Sequence, residues 1–390
     1  MVNKTDRKRS DAAIEAFHKY YSSPTLWGST RWECSLFAAL SRPVRYAMVV
    51  NPFVKDFHPP DGLLPLALPR PLSPTTPTDP SIEPLHSRVF IHPPTASNSP
   101  SQAPTTQLLP PPQPHPSTHS HSPLSSHYNL DAASLLPVLL LSPQPNDRIL
   151  DLCASPGGKS ILIGQALFAS PGNSNGLLHS NESHPARHAR LVRNLEGYFP
   201  PHLLEEGRVR GLKLDGAGGE FVSKAPVPAG REGEGSGTGR GYDKVLLDAP
   251  CSSERHVVQS HVTAQRSGGV SGDMLGFRTG TAGKKSIVRL QGELLMNALR
   301  VCRMGGRVVY STCSVDRLEN EGVVKGVVGK VGKGKSGFGV EVVEMDGLVE
   351  GLDEWSERCE VGRICLPDHG EDGGHGWGPI YFCVLTKKAA

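Results

Sequence analysis

The stretch Arg148-Ile149-Leu150-Asp151-Leu152-Cys153-Ala154-Ser155-Pro156-Gly157-Gly158-Lys159-Ser160-Ile161-Leu162-Ile163-Gly164-Gln165-Ala166-Leu167 decides the fold of this chain. Residues 148–152 read as a buried strand, Gly157-Gly158 as a turn, and Ile161 to Leu167 as a helix. Strand, glycine turn and helix make one half of a parallel α/β unit. The turn is not a Walker phosphate loop, because the four-residue gap between glycines ahead of Lys-Ser is absent, and it is not the G-x-G-x-x-G dinucleotide fingerprint. What it offers is a close backbone approach at a strand's carboxyl end, beside a helix N-terminus, where an open α/β sheet takes its ligand.

The same pattern continues outward. Gly176-Leu177-Leu178-His179-Ser180, residues 209–214, Lys244-Val245-Leu246-Leu247-Asp248, Val308-Val309-Tyr310 and Ile380-Tyr381-Phe382-Cys383-Val384 read as further strands. Ser286 opens a helix whose Ile287, Leu290, Leu294, Ala298 and Val301 share one face, and Gly305 ends it. Alternating strands and helices predict an α/β fold with a mainly parallel sheet covered on both faces. Asp131-Ala132-Ala133-Ser134-Leu135-Leu136 predicts a helix interrupted at Pro137. Residues 127–390 are expected to form the main domain, with a flexible Gly-rich loop at 224–241. Residues 1–58 read as a helical extension, from the spacing of Ala13, Phe17, Tyr20 and Tyr21 and then of Trp32, Leu36 and Leu40. Residues 59–126 are Pro/Ser/Thr/His-rich and are expected to be a disordered insertion, too poor in apolar surface to offset ordering. His115, His119 and His121 lie within it and, lacking fixed geometry, read as low complexity rather than as a metal site.

Composition narrows the class. Gly 43 and Pro 35 against 6% aromatics point to a sizeable share of linker in the 390 residues. Lys+Arg 41 against Asp+Glu 38 leaves a net charge of +3, so any nucleic-acid surface must be local. The 8 cysteines show no CxxC pairing, which argues against a zinc site or a secreted disulfide framework and for a reducing compartment. No run approaches the ~18 apolar residues that span a bilayer, so a soluble protein with no membrane partner is expected. The basic start Met1-Val2-Asn3-Lys4-Thr5-Asp6-Arg7-Lys8-Arg9 carries Asp6, with Asp11 soon after, unlike the acid-poor presequences of organelles.

Chemistry collects at the ends of the predicted strands. Glu182, after the second strand, has the acceptor oxygens to hold ribose hydroxyls, and Asp215, after the third, can reach the base of a nucleoside-like cofactor. Acids at a structural turn could simply be solvated, but polar residues at three successive strand ends favour a binding site. Cys251 in Asp248-Ala249-Pro250-Cys251-Ser252-Ser253 and Cys313 in Tyr310-Ser311-Thr312-Cys313-Ser314 both follow strands and belong at that same edge. Cys153 and Cys302 read as inert core residues. A working thiol needs help from its surroundings, since few thiols ionise at neutral pH; Arg255, Lys159 and the strand edge itself are the candidates.

Together, residues 151–159, 248–253 and Ser311-Thr312-Cys313-Ser314 followed by Glu319-Asn320-Glu321 resemble the signature set of the NSUN (Sun-type, RsmB-related) RNA cytosine-5 methyltransferases. The resemblance runs in family order from about Leu130 to the C-terminus. Ala16-Phe17-His18-Lys19-Tyr20-Tyr21, Leu26-Trp27, residues 131–139, Ser253-Glu254-Arg255-His256 and Gly378-Pro379-Ile380-Tyr381-Phe382-Cys383 are similar to the mitochondrial ribosomal-RNA member, with the mitochondrial transfer-RNA member next.

The resemblance implies a Rossmann-like class I methyltransferase that uses S-adenosylmethionine, requires no metal and is mitochondrial. By position, Gly157, Gly158, Lys159 and Ser160 would surround the methionine part of the cofactor, Glu182 and Arg187 its ribose, and Asp215 with Gly216 its adenine. The family usually has Asp at the position of Glu182 and Ala at that of Ser155. Carbon 5 of cytosine is a poor nucleophile, so a thiolate first adds to carbon 6; the family assigns that attack to Cys313. Cys251 would assist loss of the carbon-5 proton and release of the RNA. Asp248 would hydrogen-bond the base, stabilise charge developing on its ring and border the cofactor. Arg187, Arg190 and Arg193 recur at helical spacing, though such runs are often solvated faces. The implied partners are RNA, ribosomal or transfer, and a protein that helps to target it. A silent RNA-binding assembly factor is the alternative of another class, and it would not need both thiols.

Overall fold

The computed structural model describes residues 4–72, 85–93, 108–118, 122–169, 175–230, 239–370 and 374–390. The chain opens with helix α1 (Lys4–Tyr21), then a helical run through Ser29–Arg31, Trp32–Leu36 and Phe37–Ser41. A small antiparallel sheet follows, in the order β2 (Leu64–Pro65), β3 (Val89–Ile91), β1 (Tyr46–Val50), β4 (His127–Asp131).

That sheet draws strands from all three segments expected to be separate. The supposed disordered insertion supplies β2 and β3 and buries Leu66, Leu68, Val89 and Leu124. The strands are too short to stand out from a Pro-rich background, and Pro65 is tolerated because β2 lies at the sheet's edge, where a missing N–H costs nothing. Arg88 anchors the segment, donating to the Val50 carbonyl at 2.9 Å and to Gln165 at 3.1 Å. His119, His121 and residues 231–238 of the Gly-rich loop lie outside the described residues.

Helix α2 (Leu135–Leu141) is not interrupted at Pro137, as expected, but contains it. Pro137 sits in the first turn, where a backbone N–H has no intrahelical partner to lose. The main sheet is built from β5 (Arg148–Asp151), β6 (Leu177–Asn181), β7 (Val209–Leu212), β8 (Tyr242–Asp248), β9 (Cys302–Thr312) and β10 (Ile380–Lys388). Its order is β7-β6-β5-β8-β9-β10, continuing into Arg363–Cys365 and Glu357–Arg358. The first five strands are parallel and β10 runs antiparallel to β9. From β5 the chain first builds outward through β6 and β7, then returns to place β8 on the other flank of β5. Strand order reverses there, so the crevice over the carboxyl ends of β5 and β8 is where a ligand is expected.

Side-chain alternation splits the core between the two faces. Ile149 and Leu246 pack with α2, α3 (Gly158–Phe168), α4 (Pro185–Tyr198) and the small sheet. Leu150, Val245 and Leu247 pack with α1, α5 (Glu254–Arg266) and α6 (Gly280–Val301). Helix α6 begins before Ser286 and ends at Val301, and Gly305 lies inside β9 rather than closing the helix. Phe17, Tyr21, Trp32, Leu36 and Leu40 of the N-terminal extension are fully buried against the second face. At ~1.5–3 kcal/mol per buried side chain, these five contribute on the order of 10 kcal/mol before entropy, comparable to the net stability of a whole domain. The extension is therefore part of the core and not an appendage.

Candidate active site

Each expected site residue sits at the carboxyl end of a parallel strand, in the loop beyond it or in the first turn of the helix that follows. At the end of β5, Asp151 is buried; Ser160 Oγ donates to its Oδ2 at 2.7 Å, while Oδ1 has no partner among the described residues. Burial pushes this carboxyl up to about 7, against the pull of the Ser160 hydrogen bond. Gly157 takes φ 118, a backbone that favours glycine, and a Cβ on Gly158 would lie 2.8 Å from Cε1 of Tyr128. Asn181 ties two strand ends together: its Nδ2 donates to the carbonyls of Leu152 and Leu214 at 3.1 and 3.0 Å, and its Oδ1 accepts from Leu214 N–H at 2.9 Å.

Glu182 is buried with Oε1 accepting from His184 N–H at 2.7 Å and from Arg187 Nη2 at 3.0 Å. The two residues expected at one ribose are thus already paired. Asp215 is exposed, and its Oδ1 accepts from Ala217 N–H at 3.1 Å. Gly216 is packed so closely that a Cβ would meet Leu294 at 3.0 Å and Leu152 at 3.1 Å. Asn297 of α6, unmarked by any sequence motif, holds this turn by donating to the carbonyls of Gly216 and Gly218 at 2.9 and 3.1 Å.

Lys159 reaches across to β8 and pairs with Asp248 Oδ2 at 2.5 Å, while Ser311 Oγ donates to Oδ1 at 2.8 Å. Burial works against the Lys159 charge, but Asp248 outweighs it and the lysine is held above its ordinary range. The thiols of Cys251 and Cys313 come within 2.8 Å of each other, and Ser253 Oγ lies 3.1 Å from Cys313 Sγ and 3.6 Å from Cys251 Sγ. Cys313 is exposed and Cys251 half-buried. The hydrogen bond to Cys313, together with burial, pushes the Cys251 thiol well above its usual value. Cys251 therefore stays protonated beside Cys313. Burial raises Cys153 and lifts Cys302 to about 12, so both are inert at neutral pH.

Of the suppliers considered for thiol activation, Arg255 drops out. It is buried and donates to the carbonyls of Gly376, Gly378, Arg42 and Pro43, clamping two loops to α5. The loops that carry the thiols are held instead by a buried ionic cluster. Lys284 Nζ lies 2.7 Å from Glu319, 3.2 Å from Glu254 and 3.5 Å from Asp316, and it donates to Ser252 Oγ beside Cys251. Glu254 accepts from Ser314 Oγ at 3.0 Å and Val315 N–H at 3.1 Å, just past Cys313, and from Tyr21 OH of α1 at 2.7 Å. Glu319 accepts from Ser252 N–H and from Gln291, each at 3.0 Å. The three carboxylates converge as metal ligands would, but the chain's own ammonium sits among them.

The sequence reading missed Lys284 because it started α6 at Ser286. With the helix begun at Gly280, Lys284 falls on the same face as Gln291 and Leu295, and that spacing marks it as buried.

Residues 138–338, just over half the chain, match the family described as 16S rRNA methyltransferase RsmB/F. The chain is similar to the mitochondrial tRNA (cytosine(34)-C(5))-methyltransferase of Danio rerio, 38% identical over 279 residues that cover 68% of this chain and 61% of that protein. It is also similar to the 5-cytosine rRNA methyltransferase NSUN4 of Bos taurus, 34% identical over 269 residues that cover 68% and 60%. The matches thus span about three fifths of the length of these curated relatives. Among solved structures, NSun6 from Pyrococcus horikoshii with SFG shares the fold at TM-score 0.58 and 17% identity, over 96% of this chain and 98% of that one. The parallel sheet with its order reversed between β5 and β8, and the profile matched over 138–338, lead to one statement: the chain belongs to the RsmB/F methyltransferase family.

Proposed function

We propose that this chain is an S-adenosylmethionine-dependent RNA cytosine-5 methyltransferase that acts on mitochondrial ribosomal RNA. The observation that carries the proposal is the pair of thiols, one exposed and one held protonated, 2.8 Å apart beside a carboxylate–lysine pair. The residues present fit the cofactor: at the carboxyl end of β5, Asp151 keeps a buried carboxylate oxygen with no partner among the described residues, and the chain turns at Gly157 into the N-terminus of α3. Gly157, Gly158, Lys159 and Ser160 would hold its methionine part, Glu182 and Arg187 its ribose, and Asp215 and Gly216 its adenine, with Asp248 at the border. S-adenosylmethionine supplies the methyl group when bound.

The chain's own residues account for the rest of the chemistry. Cys313, exposed at the end of β9, adds as thiolate to carbon 6 of an unstacked cytosine, and the ring takes up the electron pair. Asp248 hydrogen-bonds the base, and the Lys159 charge beside it offsets the charge gathering on the ring. Once Cys313 Sγ is bonded to carbon it carries no charge, and the chief influence keeping Cys251 protonated is gone. Cys251 then releases its proton to solvent and takes the one on carbon 5. Elimination returns the electron pair to Cys313 and frees the RNA. Arg190 and Arg193 stand exposed on α4 next to the cofactor residues, available to phosphates, while Arg187 is engaged with Glu182. A protein partner that targets the RNA is part of the proposal, as is the mitochondrial location, which the name of the Danio rerio relative supports.

A transfer-RNA substrate is the second reading, favoured by the 38% identity to the Danio rerio protein. Incubation with each RNA and the methyl donor, followed by bisulfite sequencing, separates the two. Cys251→Ala is expected to accumulate a covalent RNA adduct on a denaturing gel and Cys313→Ala to form none. Methylation at the wild-type level by both variants would refute the covalent thiol mechanism; no methylation of either RNA by the wild type would refute the enzyme and leave an assembly factor; no adduct with Cys251→Ala would refute the division of labour.

A further inference from the structure

We propose that Ser253 is a third catalytic group, whose hydroxyl donates a hydrogen bond to the Cys313 thiolate and keeps that thiolate populated before RNA arrives. Ser253 precedes the first residue of α5 and occupies its N-cap position with φ 51 and ψ 55. That left-handed backbone disfavours any residue with a Cβ. Serine at an N-cap normally uses its hydroxyl to satisfy one of the helix's free N–H groups, and here it makes no such bond. The side chain has given up its capping role and taken a strained backbone. In exchange, Oγ is placed 3.1 Å from Cys313 Sγ and 3.6 Å from Cys251 Sγ. Strain of this kind persists where the surrounding structure enforces it. Here Glu254, the next residue, is locked by Lys284, Tyr21, Ser314 and Val315, so the backbone at 253 cannot relax.

Among the described residues the hydroxyl has two further acceptors, the Cys251 carbonyl at 3.5 Å and Cys251 Sγ at 3.6 Å, both farther than Cys313 Sγ at 3.1 Å, so the single O–H is best spent on Cys313 sulfur. Because Cys313 is exposed, its own proton leaves to solvent and no further base is required. Hydrogen bonds to a charged acceptor are the strong ones, so a hydroxyl donated to Cys313 sulfur favours the ionised form. Of the basic groups near the site, Lys159 is committed to Asp248, Lys284 to its three carboxylates and Arg255 to backbone carbonyls. Cys251, protonated, supplies the second donor to Cys313.

Although the catalytic role rests on the methyltransferase reading, the thiol chemistry can be measured without RNA or methyl donor. The full chain is treated with iodoacetamide over a range of pH, and alkylation of Cys313 is followed by peptide mass spectrometry. Ser253→Gly removes the hydroxyl while suiting the positive φ, so it is expected to fold with an undiminished melting temperature. Its Cys313 should alkylate about tenfold more slowly near pH 7, with the reactivity curve displaced to higher pH. Ser253→Thr, which restores a hydroxyl, should recover most of the rate. Equal alkylation rates in wild type and Ser253→Gly would overturn the proposal, as would failure of Ser253→Thr to recover the rate while remaining folded. If the alkylation difference is found but the wild type methylates no RNA, the fault lies in the proposed function and not in the role of Ser253.

Discussion

Lys284→Met tests how the two thiols are held. Methionine keeps much of the packed stem, so what is removed is a charge that is 2% exposed among three carboxylates that are 0% exposed. Removing one partner of a buried ionic group costs about 3–5 kcal/mol, because the remaining charges are left without compensation. That is a large fraction of the ~5–15 kcal/mol that holds a typical domain together. The loss should depend on pH in a definite direction. Burial raises the carboxyls of Glu254 and Asp316 even beside the lysine, and without it they rise further. As pH falls they take up protons and need no cation, so the deficit of the variant must shrink. Urea unfolding of both proteins at about pH 7.5 and about pH 5.5 measures this, with equal slopes as the check on two-state behaviour. A deficit below about 1 kcal/mol at the higher pH, the range of an exposed pair, or one that grows on acidification, would refute the reasoning. Because Lys284 also donates to Ser252 beside Cys251, adduct formation by Cys251→Ala should slow when Lys284→Met is added.

Two further outcomes concern the crevice proposed to hold the cofactor. Asp151 has a folded-state value of about 7 against a usual 3.8, so between those values the folded state holds a proton that the unfolded state has lost. Its contribution makes stability fall as pH rises through that window, by roughly 4 kcal/mol at about 1.4 kcal/mol per pH step; Asp151→Asn should flatten that part of the stability–pH curve, and an unchanged curve would contradict the buried carboxyl. Asn297→Ala removes both donors that pin the 215–218 turn and leaves two carbonyls without them, a cost of about 1–3 kcal/mol. Calorimetric affinity for S-adenosylmethionine should drop by about tenfold or more, and an unaltered affinity would show that the turn needs no such support.

Much of the candidate site was legible because its markers are local. Asp151, Asp248, Cys251 and Cys313 each follow a short apolar run, and a run of that kind places whatever follows it at a strand's carboxyl end. The helix start at Gly280 was not legible, because Gly-Thr-Ala-Gly is a poor helix former by propensity and tertiary packing overrides it. The strands at 64–65 and 89–91 were hidden for a related reason. They consist of few residues, and their stability comes from pairing with β1 and packing on the core rather than from their own composition.

By itself the sequence determined the α/β class and the strand-end placement of the candidate site residues, the two thiols proposed to react among them, since hydrophobic periodicity and turn chemistry act within a few residues. Tertiary structure alone decided what surrounds those thiols. Lys284 from α6 and Tyr21 from α1 converge on Glu254, 30 and 233 residues away in the chain, and Arg255 turns toward Gly376 instead of the cysteines. Ion pairs and hydrogen bonds of that reach depend on which helix face packs against which strand end. Desolvation makes each buried charge accept only a partner brought to it by the fold.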